Sequence, residues 1–369
     1  MELLVTSETK SKILKFILII VSIYVFLLSI KLLGHSFKLF GKGFAESLII
    51  MTSNPLAGLI IGIVSTSLIQ SSSTTTSIVV GLVAGGALTL NNAIPIIMGA
   101  NIGTTITNTL VSMGHISNRI EFKRAFSASI VHDFFNICAV IVFFPLELKF
   151  HLIEKTARAS ESIFAGAGGL KVFNPLKFII DPVIKIIDFI ISFLPYNSII
   201  LSILSLILLF SALSFLIKNI RSLVLDKLEI FINKYLFRND SIGFILGILM
   251  TFVVQSSSVT TSLIVPLVGA GLITIRQIFP YTLGANIGTT GTAILAALAT
   301  QNDIAVTVAF AHLFFNIFGI VIFYPLKIIP IGLAEYVGRK ASQSRRNLVS
   351  FITIYILIHF IPVVLIIFT

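Results

Sequence analysis

Residues 70–77 read QSSSTTTS, and residues 255–262 read QSSSVTTS. The first strip lies between GLIIGIVSTSLI (58–69) and IVVGLVAGG (78–86). Eight hydrogen-bonding side chains in a row therefore sit inside sequence that otherwise suits a lipid core. A lone Ser or Thr in such a setting is ordinary, because small side chains let membrane helices approach closely. A polar run of eight that recurs with seven residues identical asks for another explanation.

The rest of the chain supports the lipid setting. Of its 369 residues 56% are hydrophobic and only 11% are charged, too few charges to cover a water-exposed surface. The apolar residues come in long runs rather than stripes, which predicts an all-α, polytopic membrane protein. Trp is absent, so Tyr and Phe must supply any interfacial belt. The net charge of +11 marks cytoplasmic loops before it marks a nucleic-acid partner, and none is expected. The basic flank and long apolar run near the N-terminus read as a first spanning helix rather than a signal peptide. The single cysteine, Cys138, excludes an intrachain disulfide and a Cys-rich metal site.

The two strips belong to a longer repeat. Gln70 and Gln255 are 185 positions apart, and GANIGTT recurs at the same offset, at 99–105 and 284–290. Pro95 and Pro280, Gly58 and Gly243, and Gly62 and Gly247 share it too. HDFFNICAVIVFFPLE from His132 matches HLFFNIFGIVIFYPLK from His312 at an offset of 180, so the first copy holds a short insertion, placed in GHISN (114–118). The chain is read as two copies of one unit, 1–185 and 186–369.

Each copy is predicted to hold a spanning helix (13–33; 198–218), two short arms around the strip (55–88; 241–273), an interrupted helix at GANIGTT (91–113; 277–299) and a further span (124–146; 304–324). A linker at 147–185 and a last helix at 348–368 complete the chain. An arm of some 15 residues is roughly 22 Å long, short of a core about 30 Å thick. Two such arms meeting at a polar tip predict a re-entrant hairpin, which survives at depth only if buried in protein or facing water. A hairpin returns to its own side, so each copy crosses three times and the second is inverted. With the last helix this makes seven crossings, a transporter architecture whose site lies where the repeats meet. The distribution of Lys and Arg places the N-terminus in the cytoplasm.

The strip's chemistry suits an anion. Ser, Thr and Gln offer donors, and the arm that starts there presents free N–H groups and the positive end of its dipole. Such a place receives an oxyanion. The candidates are Gln70, Ser71, Ser72, Ser73, Thr74, Gln255, Ser256, Ser257 and Ser258. GANIGTT suits a hard cation: glycines and an upstream proline favour unwinding, and freed carbonyls, Asn oxygens and Thr hydroxyls are ligands for Na⁺. The competing reading is a helix crossing that needs its glycines for close approach. Sodium candidates are Asn101, Thr104, Thr105, Asn286, Thr289 and Thr290, with Thr261 in the second strip and the duplicated Asn136 and Asn316. Asp133 is the one carboxylate inside a predicted span of the repeat, and its counterpart is Leu313; it binds a cation or pairs with a neighbour such as His132. His132 and His312 are duplicated as well. The other histidines show no metal-ligand spacing, and no transition-metal site is expected. Neither G-x-S-x-G, H-E-x-x-H nor a Walker loop occurs, so an enzyme is not expected.

QSSSTTTSIVV, AIPIIMGANIGTTITNT, EFKRAF and VHDFFN in the first copy resemble the type II sodium-dependent phosphate cotransporter family. QSSSVTTS, LGANIGTTGTAILAALA and HLFFNI carry the resemblance in the second. It covers roughly 50–146 and 240–330. The resemblance implies import of inorganic phosphate across the plasma membrane on the sodium gradient, with Na⁺ as coupling ion and no other cofactor. It implies that Gln70–Ser73 and Gln255–Ser258 form hairpin tips at the substrate and sodium sites. It also implies a part for Asp133 in charge coupling, because electrogenic members are similar in having HD here where electroneutral ones have Gly. The linker is shorter than in vertebrate members and lacks Cys, which gives the expectation of a bacterial member. Read from residues alone, the alternatives are a carrier of another oxyanion or one driven by H⁺, an intramembrane serine hydrolase, and a partner-dependent membrane component.

Overall fold

The computed structural model describes residues 7–167, 169, 174–235, 239–354 and 357, and these form helices, turns and connections without a strand. Helix α1 (Ser7–Leu39) is followed by α2 (Lys42–Met51), α3 (Pro55–Ile69), α4 (Ser72–Ala84) and α5 (Leu90–Ile102). A 3₁₀ turn at Gly103–Thr105 leads into α6 (Ile106–Ser112), and a second at Met113–His115 precedes α7 (Arg119–Phe150). Then come α8 (Leu152–Gly166), α9 (Asn174–Ser192), α10 (Asn197–Tyr235) and α11 (Asp240–Val254). The second copy continues with α12 (Ser257–Ser262), α13 (Val265–Gly269), α14 (Ile275–Thr300), α15 (Asp303–Phe323) and α16 (Ile328–Gln343).

Six stretches are long and apolar enough to cross a membrane: Ile13–Leu39, Leu90–His115, Arg119–Phe150, Asn197–Asn219, Ile275–Thr300 and Asp303–Phe323. The molecule is thus an all-α, multi-pass membrane protein. Most of the expected crossing at 348–368 lies outside the described residues. The arms of the first strip, α3 and α4, are short helices, and so is α11 before the second. Asn54 caps α3 by accepting from the Leu56 N–H at 2.9 Å, and Pro55 occupies the first position, where its missing N–H costs nothing. Ahead of it lies α2, not foreseen, which meets α3 at a 99° bend.

Three elements differ from expectation. The second copy's helix is not interrupted at GANIGTT: α14 runs unbroken for 26 residues, whereas the first copy does break into 3₁₀ geometry at Gly103–Thr105. The reason lies in packing. A Cβ on Gly284 would run into the Phe244 carbonyl oxygen, and one on Gly247 into that of Tyr281. The glycines let α11 and α14 touch backbone to backbone, as Gly62 and Gly99 do for α3 and α5. In lipid, where apolar burial does not drive helices together, such contact is what holds them. Next, the second arm of the later hairpin splits into α12 and α13. Pro266 has no N–H, and its ring excludes the helical position of the Ser262 carbonyl, so α12 stops there. Finally, the linker is structured. Ile153 and Ala157 of α8 are buried, α8 packs on α15, and Asp181 of α9 pairs with Lys31 of α1.

Contacts sort the connections into two groups. At one end, Asp240 at the start of α11 pairs with Lys327 beyond α15 at 2.8 Å, and a cavity joins Arg124 at the start of α7, Gly271 and Thr274 before α14, and Arg339 of α16. At the other, a cavity joins Lys38 near the end of α1, Ala84 at the end of α4, Asp181 of α9 and Thr300 at the end of α14. The strips lie between these ends, buried in protein.

Candidate functional site

Each strip forms a turn of the same shape. Gln70 ends α3 in the left-handed region (φ 60°, ψ 24°), and Ser71 follows extended (φ −152°, ψ 105°). Gln255 (φ 58°, ψ 24°) and Ser256 (φ −153°, ψ 109°) repeat this within a few degrees. A left-handed residue other than glycine costs about 1–2 kcal/mol, so its surroundings must hold it. They do so in parallel. The Gln70 N–H donates to the Thr66 carbonyl at 2.7 Å, and the Gln255 N–H to that of Thr251 at 2.7 Å. The side-chain amides of Gln70 and Gln255 donate to the carbonyls of Ser67 and Phe252. Their Oε1 atoms accept from Thr107 at 3.1 Å and Thr292 at 2.5 Å. Thr66 with Thr75 (3.0 Å) and Thr251 with Thr260 (2.8 Å) tie the arms together behind each turn.

The structure divides the strip's oxygens. Ser71 and Ser256 are caps, accepting from the N–H groups of Thr74 (3.2 Å) and Val259 (3.3 Å). Thr74 donates to the Ser71 Oγ at 2.9 Å, and Ser258 to the Thr104 carbonyl at 2.9 Å. Ser72, Ser73 and Ser257 are buried, yet among the described residues their hydroxyls make no hydrogen bond. Thr76 Oγ1 of the first strip is likewise buried without a partner among the described residues, so four hydroxyls of the strips are unengaged.

The copies interlock here. Ser258 reaches the first copy's 3₁₀ turn, and Thr261 Oγ1 accepts from Asn108 Nδ2 at 2.8 Å while donating to the Ser257 carbonyl at 2.7 Å. In the other direction α4 packs against α14 and α15. A crossed network joins the two GANIGTT segments beside the tips. His132 bonds Asn286 through Nε2, and His312 reaches Asn101 through Nε2 at 3.4 Å. An amide oxygen only accepts, so each Nε2 carries the proton. Asn136 donates to the Asn101 carbonyl at 2.7 Å, and Asn316 to that of Asn286 at 3.4 Å. Asn286 also donates to Asn136 Oδ1 at 2.8 Å, whereas Asn101 turns its amide to its own Ile97 carbonyl at 3.2 Å. This asymmetry leaves the buried Asn316 Oδ1 without a donor among the described residues.

The GANIGTT threonines donate back into their own helices: Thr104 to Ala100 at 3.1 Å, Thr289 to Ala285 at 2.9 Å and Thr290 to Ile287 at 2.6 Å. Their lone pairs stay available to a cation, but α14 offers no unwound carbonyls of the kind expected. The side chain of Thr105 lies outside the described residues. Asp133 is buried on α7, three residues before Asn136 and so on a neighbouring face of the helix. Thr107, Thr292 and Asn108 were not singled out in the sequence, although Thr107 and Thr292 share the offset of 185. Away from the site, folding gathers Glu147, His151 and Glu154, which sequence spacing did not show. Glu147 spends its carboxylate on the N–H groups of Ile153 (2.6 Å) and Glu154 (3.2 Å), and Glu154 pairs with Arg158 at 2.8 Å.

Known proteins match over the same segments. The family model described as Na+/Pi-cotransporter matches residues 25–171 and 207–333. Sodium-dependent phosphate transport protein 2A of Rattus norvegicus is 34% identical across 96% of this chain and 67% of its own length. The 2B protein of Homo sapiens is 34% identical across 94% of this chain and 65% of its own length. The chain spans about two thirds of the length of these relatives. No solved structure matches.

Proposed function

Because the chain belongs to the Na⁺/Pi-cotransporter family, whose activity is sodium-coupled phosphate transport, we propose that it imports inorganic phosphate on the sodium gradient by alternating access. The membrane is the plasma membrane and the N-terminus is cytoplasmic. The two copies are inverted repeats whose hairpins enter from opposite sides. The sorting of hairpin ends into two groups of contacts supports this, as does the excess of Lys and Arg on the proposed inner side.

The observation that carries the reading is the pair of identical turns, each held by its own Thr and seated against the other copy. Ser72, Ser73 and Ser257 present their hydroxyls to the phosphate oxygens, and the first-turn N–H groups of α4 add positive potential. Sodium takes oxygens from Asn101, Thr104, Thr105, Thr261, Asn286, Thr289, Thr290, Asn136 and Asn316. Its charge lowers the cost of stripping water from the anion. Asp133 holds a further cation, so that net positive charge moves inward in each cycle. Because α3 is locked to α5 and α11 to α14 through glycine contacts, each tip travels with its own copy as that copy rocks against the other.

Proteoliposomes test this directly. Labelled phosphate should accumulate when Na⁺ is outside and fail to accumulate when choline replaces it. Uptake indifferent to the sodium gradient overturns the reading, and sodium-driven uptake of sulfate without phosphate redirects it to another oxyanion.

A further inference from the structure

The end of the molecule that carries the α13–α14 turn holds a cavity of about 350 Å³ lined by Lys123, Arg124, Arg339, Glu335, Gly271 and Thr274. We propose that it is a second binding site, separate from the strips, for a phosphate group, carried either by a lipid headgroup or by free phosphate. It goes beyond the transport reading and does not need it, since no sodium ligand lines it.

Three cations face one carboxylate. Among the described residues none of Lys123, Arg124 and Arg339 enters an ion pair. The contrast with the cavity at the other end is informative. That one, of about 280 Å³, is also basic, with Lys31, His35, Lys38 and Lys185, but Lys31 pairs with Asp181 and His35 with Asp188. Lys31 there is engaged in a close ion pair, whereas among the described residues no cation of the first cavity is.

Backbone detail shows how the cations converge. Gly271 lies at φ +78°, and the space its Cβ would fill holds the Arg124 guanidinium. The absent side chain lets Arg124 fold over the α13–α14 turn instead of pointing away from the protein. Gly338 plays the same part on α16: a Cβ there would meet Ser127 of α7, so the helix lies close enough to bring Arg339 and Glu335 to the rim. Two guanidiniums and an ammonium from two helices can grip the several oxygens of one phosphate, which a single charge cannot. In the proposed orientation the cavity opens at the cytoplasmic surface, where anionic headgroups concentrate.

The test uses the full chain in neutral detergent micelles without sodium, so that the transport site does not contribute. Dioctanoyl phosphatidic acid binding is counted by native mass spectrometry, and labelled inorganic phosphate binding by equilibrium dialysis. The triple variant Lys123→Gln, Arg124→Gln, Arg339→Gln should bind about tenfold to a hundredfold more weakly. Glu335→Gln should bind more tightly than wild type, a gain that misfolding cannot imitate. Lipid that excess phosphate displaces identifies free phosphate as a ligand, and lipid that resists it identifies the headgroup. Either result supports the site. Failure of both probes to bind wild type overturns it, as does equal binding by wild type, the triple variant and Glu335→Gln.

Discussion

Replacing Thr292 by Val removes one hydroxyl and keeps the side chain's shape. That hydroxyl donates at 2.5 Å to Gln255 Oε1, and both residues are buried, with 0% and 7% of their surface exposed. Water therefore has little access to replace the lost donor. An amide oxygen left without a partner in such a place costs about 1–3 kcal/mol. The loss falls on a residue already held left-handed, whose remaining restraints are its N–H bond to Thr251 and its amide bond to Phe252. Taking the lower part of that range, the ratio of formed to unformed tip falls about tenfold, and apparent phosphate affinity falls by up to that factor. Sodium-driven uptake over a phosphate concentration series measures this as an increase in KM of up to about tenfold. Thr292→Ser keeps the hydroxyl and should stay within about twofold of wild type. Thr107→Val should act less strongly, because the Thr107–Gln70 bond is 3.1 Å long and only partly buried. Wild-type KM in Thr292→Val refutes the argument, and so does a Ser variant as impaired as the Val one, which would assign the effect to packing.

Further outcomes separate roles within the site. Ser256→Ala should lower the melting temperature by removing a cap worth about 1 kcal/mol, whereas Ser257→Ala should leave melting unchanged and lower uptake; reversal of the two would exchange their roles. Reaction of buried Cys138, the sole cysteine, with a thiol dye on heating reports that melting. Asp133→Gly should abolish phosphate-evoked current more than phosphate uptake, and equal current per phosphate moved would end its role in charge coupling. The Lys327 ammonium bonded to Asp240 holds that carboxyl below the usual carboxylate range, against the opposing effect of burial. A lowered folded pKa stabilises above the ordinary carboxylate value, and the contribution is lost as pH falls through it. Melting between pH 6 and pH 3 should therefore fall less steeply in Lys327→Met than in wild type; parallel curves would mean that the pair does not contribute.

Much of this was legible in order along the chain. The repeat shows as an offset, because duplicated sequence keeps its spacing. The arms of the hairpins show as apolar runs too short to span. The turns at Gln70 and Gln255 were marked by a polar run where lipid-facing sequence has none. What misled was glycine. In GANIGTT it permits both unwinding and close approach, and nothing local distinguishes them. The structure gives both answers: a 3₁₀ break at Gly103–Thr105, and an unbroken α14 whose Gly284 touches the backbone of α11.

The sequence by itself determined the membrane class, the recurrence of its motifs and the residue types in each strip, because composition, period and hydrogen-bonding capacity are properties of neighbours in the chain. Only the tertiary structure decided which oxygens of the strips are already engaged, that Thr107 and Thr292 hold the glutamines, and that the histidine of each copy bonds the asparagine of the other. Those pairings join residues up to 211 positions apart. A hydroxyl's partner depends on which helix face arrives opposite it, and that is fixed by packing between the copies.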